Sequence, residues 1–433
     1  FFLFVLNGKT QEVEILTLED CLRIGIDNNL SLEGKRKEIQ RSKYGVSENR
    51  SKLLPQINAI AGYSNNFDPP VSVTDGSSYG VPYNITQTLQ HSANAGLEMQ
   101  MPLFNQTLYT SMSIAKVMEE ISRLSYGKAR EDVILQISKM YYLGQVTAEQ
   151  IMLIKANITR LEELRDITQA FFDNGMSMEV DLKRVNINLE NLKVQYDNAQ
   201  AMMKQQLNML KYIMDYPAEK EIALTPVNTD SITTVALTGL SENIYELQLS
   251  QSQVQLAERQ KKIITNGYIP SLSLTGSWRY AAYTDKGYHW FHSGPSNQWF
   301  RSYGVGLTLR IPIFDGLDKT YKIKKAMIDI ENKRLAWEDA RKNLQTQYLN
   351  AVNDLMNNQR NFKKQKDNYL LAEDVYAVTS DRYREGIASM TEVLQDEMQM
   401  SEAQNNYISA HYNYRVTNLM LLKLTGQIES LVK

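Results

Sequence analysis

Cysteine, histidine, proline and glycine are all scarce in this chain of 433 residues. It contains one cysteine (Cys21), four histidines, 10 prolines and 21 glycines. A single cysteine excludes a disulfide framework within the chain, and with four scattered histidines it disfavours a zinc site. So few prolines and glycines are also atypical of a disordered chain. The sequence therefore predicts regular secondary structure without a metal or disulfide staple.

An excess of charge and a long hydrophobic run are missing as well. The 47 Lys and Arg residues nearly balance 49 Asp and Glu residues, whereas a nucleic-acid-binding protein usually has a surplus of cations. We therefore expect no nucleic-acid partner. The longest apolar run is FFLFVL at residues 1–6, far below the ~20 residues that a membrane-spanning helix needs. Transmembrane β-strands remain compatible with this composition, because their alternating pattern keeps the mean hydropathy low.

Residues 1–16 form an N-terminal segment that resembles the end of a signal peptide. FFLFVL is followed by Asn7, Gly8 and polar residues, as at the junction of an apolar region with a cleavage zone. A short buried strand is the alternative interpretation. Cys21 lies beyond this zone in an apolar-periodic stretch, which argues against its lipidation.

The most informative feature is an internal repeat. A shift of 210 residues aligns segment 96–105 with segment 306–315, and a shift of 211 aligns 172–175 with 383–386. The second shift also superimposes two sets of heptad-spaced residues: Leu182, Leu189, Tyr196, Met203 and Leu210 on Val393, Met400, Tyr407, Tyr414 and Leu421. We interpret the chain as a tandem duplication. Its parts are a first repeat at 17–214, an equatorial linker at 215–240, a second repeat at 241–426 and a tail at 427–433.

Each repeat is predicted to run helix, strand, loop, strand, very long helix, tight turn and long helix. The first helix begins at Thr17, whose capping box uses Asp20, and it ends before Pro55. In the first repeat we expect helix 18–52, strands 55–65 and 92–103, helix 105–171 and a helix ending at 214. In the second we expect helix 238–266, strands 268–283 and 302–313, and helices 316–384 and 389–424. Helices of ~65 residues would be ~100 Å long, which a single compact globule cannot hold.

The last helix of each repeat carries two interleaved heptad tracks. A period of 3.5 residues imposes left-handed supercoiling, so these helices are predicted to form coiled coils. An ordinary amphipathic helix is the alternative. Many track positions hold Tyr or small residues, which suits side-by-side packing of several helices better than a two-stranded zipper.

The predicted strands alternate strictly between apolar and polar residues. One such series is Leu272, Leu274, Trp278 and Tyr280 against Ser271, Ser273, Thr275, Ser277 and Arg279; another is Ala95, Leu97 and Met99 against Asn94, Gly96, Glu98 and Gln100. This period suits membrane strands with one face toward lipid and one toward a watery lumen, although a half-buried soluble sheet would share it. Four strands cannot close a barrel, and an open edge cannot lie in lipid. Several chains would therefore share one barrel, with residues 66–91 and 284–300 as outer loops.

This layout resembles the outer-membrane efflux protein family. The resemblance covers residues 15–426 and depends on the stretch 16–29, the Leu-Leu-Pro and Tyr-Ile-Pro strand openings, the two Pro-Leu/Ile-Phe sites and the turn glycines. It implies an α+β membrane protein that forms a homotrimer. The trimer would have a twelve-stranded outer-membrane β-barrel, four strands per chain, continued by a long periplasmic α-helical coiled-coil barrel. A periplasmic adaptor, an inner-membrane transporter and outer-membrane lipid are the implied partners.

The resemblance also implies residues of a pore constriction. An acidic residue six positions after the second turn glycine faces the pore in the family, and Glu392 occupies that position here. A ring of carboxylates favours cations. The second acidic position of the family is Gln395 in this chain, so that ring is absent or shifted to Asp396. The alternative for Glu392 is a solvated carboxylate at a helix start, stabilised by the helix dipole.

Two further pairs at the tips follow from the resemblance. The family closes its tips with a polar link between the residues that are Asp181 and Tyr383 here, whereas its arginine partner is replaced by Ala388. Gly175 and Gly386 would provide positive-φ turns and contact an adaptor hairpin, although a turn requirement alone is a sufficient reason for glycine.

The resemblance thus implies a passive outer-membrane exit duct of a tripartite efflux or type I secretion system, gated at the periplasmic tips. The alternative is a non-conducting trimeric coiled-coil scaffold of the cell envelope. We expect no enzymatic activity and no cofactor, because the chain has no phosphate-binding glycine loop and no Glu-x-x-His pair. The tip methionines Met176, Met178 and Met390 could bind Cu(I), but flexible core packing is the commoner role of Met, and no metal site is predicted.

Overall fold

The computed structural model describes residues 13–69, 71–75, 77, 80, 82–87, 89–227, 239–284 and 299–432. The chain divides into two compact units. One consists of the chain up to Ile39, Ser122–Gln251 and everything from Leu335 on; the other consists of Gln40–Ile121 and Ser252–Arg334. Each unit draws residues from both repeats, so the repeat is a unit of sequence and not a unit of packing.

The first predicted helix is interrupted once. Helix α1 spans Leu18–Asn28 and helix α2 spans Leu30–Ser51. Asn29 leaves helical geometry (φ −55°, ψ 118°). Its side chain accepts a hydrogen bond from the Leu32 amide (3.1 Å) and donates one to the Ile213 carbonyl oxygen (2.8 Å). Asn side chains compete with helical hydrogen bonds in this way, which explains the break that periodicity did not indicate. The capping box of Thr17 and Asp20 is present.

The long helices join at two tight turns. The first pair is α3 (Gln106–Asp173) and α4 (Glu179–Met214). The second repeat contributes α5 (Tyr245–Asn266), α6 (Asp318–Arg384) and α7 (Met390–Leu424), with a 3₁₀ turn at Ile428–Val432. In the parts of the chain that the structure describes, no helix combines the length and the apolarity needed to cross a membrane.

Four strands form one antiparallel sheet in the order β2-β5-β7-β8. They are β2 (Gln56–Asn65), β5 (His91–Phe104), β7 (Ser271–Thr284) and β8 (Trp299–Arg310). The register aligns Asn58, Glu98, Ser277 and Gly304 in one row and Ile57, Met99, Gly276 and Val305 in the next. Side chains alternate between faces, so one face of the sheet is polar and rich in Gly and Ser while the other is apolar.

The segment predicted as the first outer loop is not a simple loop. Within it, β3 (Val71–Asp75) and β4 (Tyr83–Gln87) pair antiparallel as a separate two-stranded sheet. Val71 and Val73 in β3 and Tyr83 and Ile85 in β4 alternate with polar residues, a pattern of β-branched and aromatic residues that favours extended structure and that the loop prediction overlooked. Most of the second predicted loop, residues 285–298, lies outside the described residues.

A short parallel sheet links the N-terminal segment to the linker. Strand β1 (Glu14–Leu16) pairs with β6 (Ile222–Leu224). Tyr141 supports this pairing from α3, because its hydroxyl donates to the Leu16 carbonyl oxygen at 3.2 Å. Residues 1–12, on which the signal-peptide and buried-strand interpretations depend, and linker residues 228–238 lie outside the described parts of the chain.

Two large apolar clusters stabilise the described helices, beside a smaller one around Val146 and Tyr407. One surrounds α1 and the ends of α4 and α7, with Leu22, Leu32, Ile134, Met214 and Leu421 fully buried. The other lies near the two turns and contains the following side chains of α3, α4, α6 and α7: Leu161, Leu164, Val185, Leu189, Leu192, Tyr376, Tyr383, Met390, Val393, Leu394 and Met400. Burial of such side chains contributes roughly 1.5–3 kcal/mol each, so this tip cluster holds the two helical hairpins together.

Candidate functional site: the helical tips and the polar sheet face

The two turns between the long helices have the same geometry. Gly175 (φ 72°) and Gly386 (φ 76°) adopt the left-handed conformation. Each amide donates to the carbonyl oxygen three residues earlier, to Phe172 and Tyr383 respectively, at 2.9 Å. The next amide in each turn bonds five residues back at 2.8 Å. This pair of bonds is the Schellman motif, which needs a residue that tolerates positive φ.

Both turns line one open cavity of about 960 Å³. The sequence-predicted tip residues that it brings together are Gly175, Asp181, Tyr383 and Gly386. Met176, Met178, Arg184, Ala388 and Thr391 lie around the same cavity. Residues more than 200 positions apart in the sequence therefore form a single site at the tips.

Asp181 is part of a polar link that the sequence did not indicate. Its carboxylate contacts the Arg184 guanidinium one turn along α4 at 3.2 Å. Arg184 also donates to the Thr391 hydroxyl of α7 at 3.4 Å. A guanidinium is therefore present at the tip although Ala388 occupies the position where the family pattern has arginine. Arg184 connects the first-repeat hairpin to the second.

Tyr383 is buried and makes a different contact between repeats. Its hydroxyl donates to the Thr168 hydroxyl of α3 at 3.3 Å, and its ring lies 5.7 Å from the Phe171 ring. Thr168 in turn donates to the Leu164 carbonyl oxygen at 2.7 Å. Asp181 and Tyr383 thus line the same cavity but have separate hydrogen-bond partners within one chain, and their direct link stays a prediction.

Glu392 forms a capping box at the start of α7. Its carboxylate accepts from the Ser389 amide at 3.2 Å, and its own amide donates to the Ser389 hydroxyl at 3.3 Å. The carboxylate is therefore held on the helix N-terminus while it stays exposed. Gln395 is exposed and Asp396 is half-buried. The structure gives Glu392 a local structural role, and its role in a pore constriction stays a prediction.

A buried polar seam between α6 and α7 was missed by the sequence analysis. Along α7, Glu397, Gln404 and His411 follow Met390 at seven-residue intervals. They oppose Tyr376, Tyr369 and Phe362, which have the same spacing on α6. The seven-residue spacing is present in the sequence, but polar residues at this spacing give no local indication that they are buried. The seam ends at His411, which accepts from Arg415 at 3.0 Å and lies 3.4 Å from Glu149.

Glu397 is an incompletely hydrogen-bonded member of this seam. Only 4% of the side chain is exposed, and its Oε1 atom has no hydrogen-bond partner among the described residues. Burial raises the pKa of the Glu397 carboxyl. The neighbouring Tyr376 hydroxyl is also unpartnered within the described chain, and burial raises its pKa to about 12.

The polar face of the sheet is a separate candidate site in the other compact unit. A cavity of about 480 Å³ lies on it, lined by Asn58, Gln100, Thr275, Ser277, Gly304 and Gly306 among others. On the opposite face, Tyr303, Val305 and Leu307 are 78%, 80% and 65% exposed. No group of three or more His, Cys, Asp or Glu side chains in the described chain is placed to hold a metal ion.

The family model of outer membrane efflux proteins matches residues 24–214 and 236–427. This match spans most of the chain. The chain belongs to the outer membrane efflux protein family. Its place in this family locates the protein in the outer membrane, from which it extends into the periplasm.

Relatives in the family are outer-membrane channel and pump components. The outer membrane protein TolC of Vibrio cholerae is 21% identical over 399 residues, which cover 88% of this chain and 84% of that protein. The probable efflux pump outer membrane protein TtgC of Pseudomonas putida is 23% identical over 431 residues, with 94% and 82% covered. The solved structure of CusC, whose description refers to transmembrane channel formation, has a TM-score of 0.79 against this chain, with 16% identity and with 94% of this chain and 91% of that chain covered. At 16% identity, the similarity to CusC shows a shared fold.

Proposed function

We propose that this protein is the passive outer-membrane exit duct of a tripartite efflux or type I secretion system, gated at the periplasmic tips of its coiled helices. It works as a homotrimer whose barrel has twelve strands, four from each chain. The observation that carries the proposal is the four-stranded sheet, which has two unpaired edges and two chemically different faces.

The edges support shared closure of a barrel. In the part of the chain that the structure describes, β2 and β8 each pair on one side only within this sheet. An unpaired strand edge in hydrocarbon leaves peptide groups without hydrogen bonds, which costs several kcal/mol per group. Pairing of β8 with β2 of the next chain removes both edges. The apolar face then meets lipid and the Gly- and Ser-rich face lines the lumen.

Exposed apolar residues on the helices support a helical continuation. On α4, Val180, Ile187 and Val194 are spaced by seven residues and are 45%, 61% and 59% exposed. On α6, Leu349, Met356 and Leu370 keep the same period and are 54%, 48% and 50% exposed. Heptad stripes of this kind pack against other helices in coiled coils. In the trimer we assign them to contacts between neighbouring chains.

The tip cavity supports a gate and a docking point. It is bounded by two helical hairpins, and the polar contacts between them at the tip include the individually weak hydrogen bonds of Arg184 to Thr391 and of Tyr383 to Thr168. Each contributes ~0.5–1.5 kcal/mol, which suits a closure that must open. A periplasmic adaptor would contact the turns at Gly175 and Gly386, and an inner-membrane transporter would supply the energy.

The test uses the full chain purified in detergent. We expect a heat-modifiable trimer on gels and discrete conductance steps in a planar bilayer, together with loss of solubility when detergent is removed. A chain that is soluble without detergent and gives no conductance would contradict the duct and favour the non-conducting scaffold. A monomer that conducts would contradict the shared barrel.

A further inference from the structure

A charge pair lies on the polar face of the sheet. The Arg279 guanidinium of β7 donates to a Glu98 carboxylate oxygen of β5. Arg279 is opposite Gly96 and Glu98 is opposite Ser277, so the two side chains meet diagonally across neighbouring strands. Diagonal contacts of this kind are within reach of long side chains.

Gly96 makes room for this pair. A Cβ atom at this position would lie 2.4 Å from the Trp278 carbonyl oxygen, 2.9 Å from Arg279 Cα and 3.0 Å from Arg279 Cγ. Because Gly96 has no side chain, the aliphatic part of the Arg279 side chain can lie close to the β5 backbone at this position. The guanidinium then reaches Glu98 two residues along β5. This contact accounts for a glycine in the interior of a strand, where glycine otherwise weakens a sheet.

The pair faces water and balances its own charge. The Arg279 and Glu98 side chains are 47% and 40% exposed, and both line the 480 Å³ cavity on this face. The other charged residue on the polar face of the described strands is Arg310, opposite Ser271 and eight residues along β8 from Ser302, the partner of Arg279. Eight strand residues span about 27 Å, well beyond the Debye length of about 8 Å at physiological salt.

We propose that the Glu98–Arg279 pair sets the ion preference of the strand-lined part of the lumen, independently of Glu392 at the tips. The assignment rests on the proposed function, because the polar face is a lumen wall only in the closed barrel. Each chain contributes one carboxylate and one guanidinium to the same level of the wall. Together they leave this level without net charge, so it passes cations and anions alike.

Reversal potentials in a KCl gradient test the assignment. Arg279→Gln leaves Glu98 uncompensated and should shift the preference toward K⁺; Glu98→Gln leaves Arg279 uncompensated and should shift it toward Cl⁻. Each shift in permeability ratio should be on the order of twofold or more, because one charge about 8 Å from an ion in water gives about this factor and each of the three chains carries one such charge. The double variant Glu98→Gln/Arg279→Gln should return to the wild-type value, and all shifts should shrink at high salt.

A matched control separates the lumen from the rest of the sheet. Arg301→Gln removes the same charge from β8 on the apolar face, where Arg301 is opposite Tyr280, and should leave the selectivity unchanged. Single variants that shift in the same direction, or not at all, while the wild type conducts would overturn this assignment alone. A wild-type protein without conductance would overturn the duct and this assignment with it. Trimer yield on gels verifies that each variant is folded.

Discussion

At the scale of single residues, Glu392 has an observed structural role and a proposed functional one. Glu392 satisfies the start of α7 through Ser389, and in the trimer its charge would also face the constriction. A carboxylate at a helix N-terminus is stabilised by the helix dipole whether or not ions pass nearby. Only variants that separate the cap from the charge can assign the role of Glu392.

The first prediction makes this separation. Ser389→Ala removes the cap hydroxyl but keeps the Glu392 charge, and should lower stability by ~0.5–2 kcal/mol without changing cation preference. Glu392→Gln retains a side chain that can cap and should reduce K⁺-over-Cl⁻ selectivity in single-channel recordings. Equal selectivity of Glu392→Gln and wild type would remove Glu392 from the constriction and leave it as a cap.

The second prediction concerns the buried Tyr383 hydroxyl. Tyr383→Phe deletes the donation to Thr168 but keeps the ring against Phe171, and Thr168 retains its own bond to Leu164. The closed tip should lose ~0.5–1.5 kcal/mol, which raises basal conductance. Asp181→Ala, which frees Arg184, should act in the same direction. Glu190→Gln breaks an exposed pair with Lys193 on the same α4 helix and serves as the control; conductance equal to wild type in both test variants would argue against a polar lock.

At the scale of elements, the helical hairpins are held by a seam that is partly polar. Glu397, Gln404 and His411 take positions on α7 that a simple coiled coil would fill with apolar residues. The Asn157 amide nitrogen donates a hydrogen bond to the Gln404 side-chain oxygen at 2.7 Å. Glu397, in contrast, has one carboxylate oxygen without a hydrogen-bond partner within the described chain. A buried polar group without a full set of hydrogen-bond partners destabilises the packed helical hairpins. The seam therefore gives these helices a sensitivity to pH.

The third prediction follows from Glu397. Burial raises the pKa of the Glu397 carboxyl above the ordinary value of a glutamate, so the neutral form is favoured in the packed hairpins. Stability is unaffected below the ordinary carboxyl pKa and falls as pH rises from there through the raised pKa, because ionisation must then occur in a buried place. The Glu397→Gln variant should have a higher melting temperature than the wild type at neutral pH, and its melting temperature should depend less on pH in that window. Far-UV circular dichroism measures the melting of both proteins.

Glu402→Gln is the matched control for this prediction. Glu402 is exposed on the same α7 helix, so its neutralisation should leave the pH profile of melting as in the wild type. A Glu397→Gln profile that parallels the wild type across the window would show that Glu397 does not control the stability of the tips.

At the scale of the whole molecule, a duplicated sequence produces units that cross the repeat boundary. Both repeats give strands to one sheet, since β5 from the first pairs with β7 from the second. Both give hairpins to one tip cluster. Neither repeat could bury its apolar surface alone, which is the usual reason that repeats occur in tandem.

The fourth prediction tests which face of the sheet meets lipid. Val305 and Gly304 are adjacent on β8 and project to opposite faces. Val305→Lys places a charge on the apolar face and should reduce membrane insertion, at a cost of ~2–4 kcal/mol near the bilayer midplane. Gly304→Lys places the same charge in the lumen and should insert normally while it shifts selectivity toward anions. Trimer yield from membranes measures insertion, and equal yields for the two variants would contradict the assignment of the faces.

Local patterns in the sequence determined the main elements of this protein. Alternation indicated strands that the structure places at Gln56–Asn65, His91–Phe104, Ser271–Thr284 and Trp299–Arg310. The turn glycines and the heptads indicated where the long helices reverse and which residues they bury. The period at which apolar side chains repeat and the need for a residue that tolerates positive φ depend on residues close together in the sequence. Both can therefore be recognised before the tertiary structure is known.

Tertiary structure alone decided the partners across the chain. Tyr383 and Thr168 are 215 positions apart in the sequence, and Glu98 and Arg279 are 181 positions apart, and nothing local selects these pairs. The break at Asn29 depends on the Ile213 carbonyl oxygen, and Glu397 is buried in a packed arrangement that places it near Tyr376 of α6. Hydrogen bonds and desolvation act over a few ångströms in space, so they are fixed only when folding brings distant segments together.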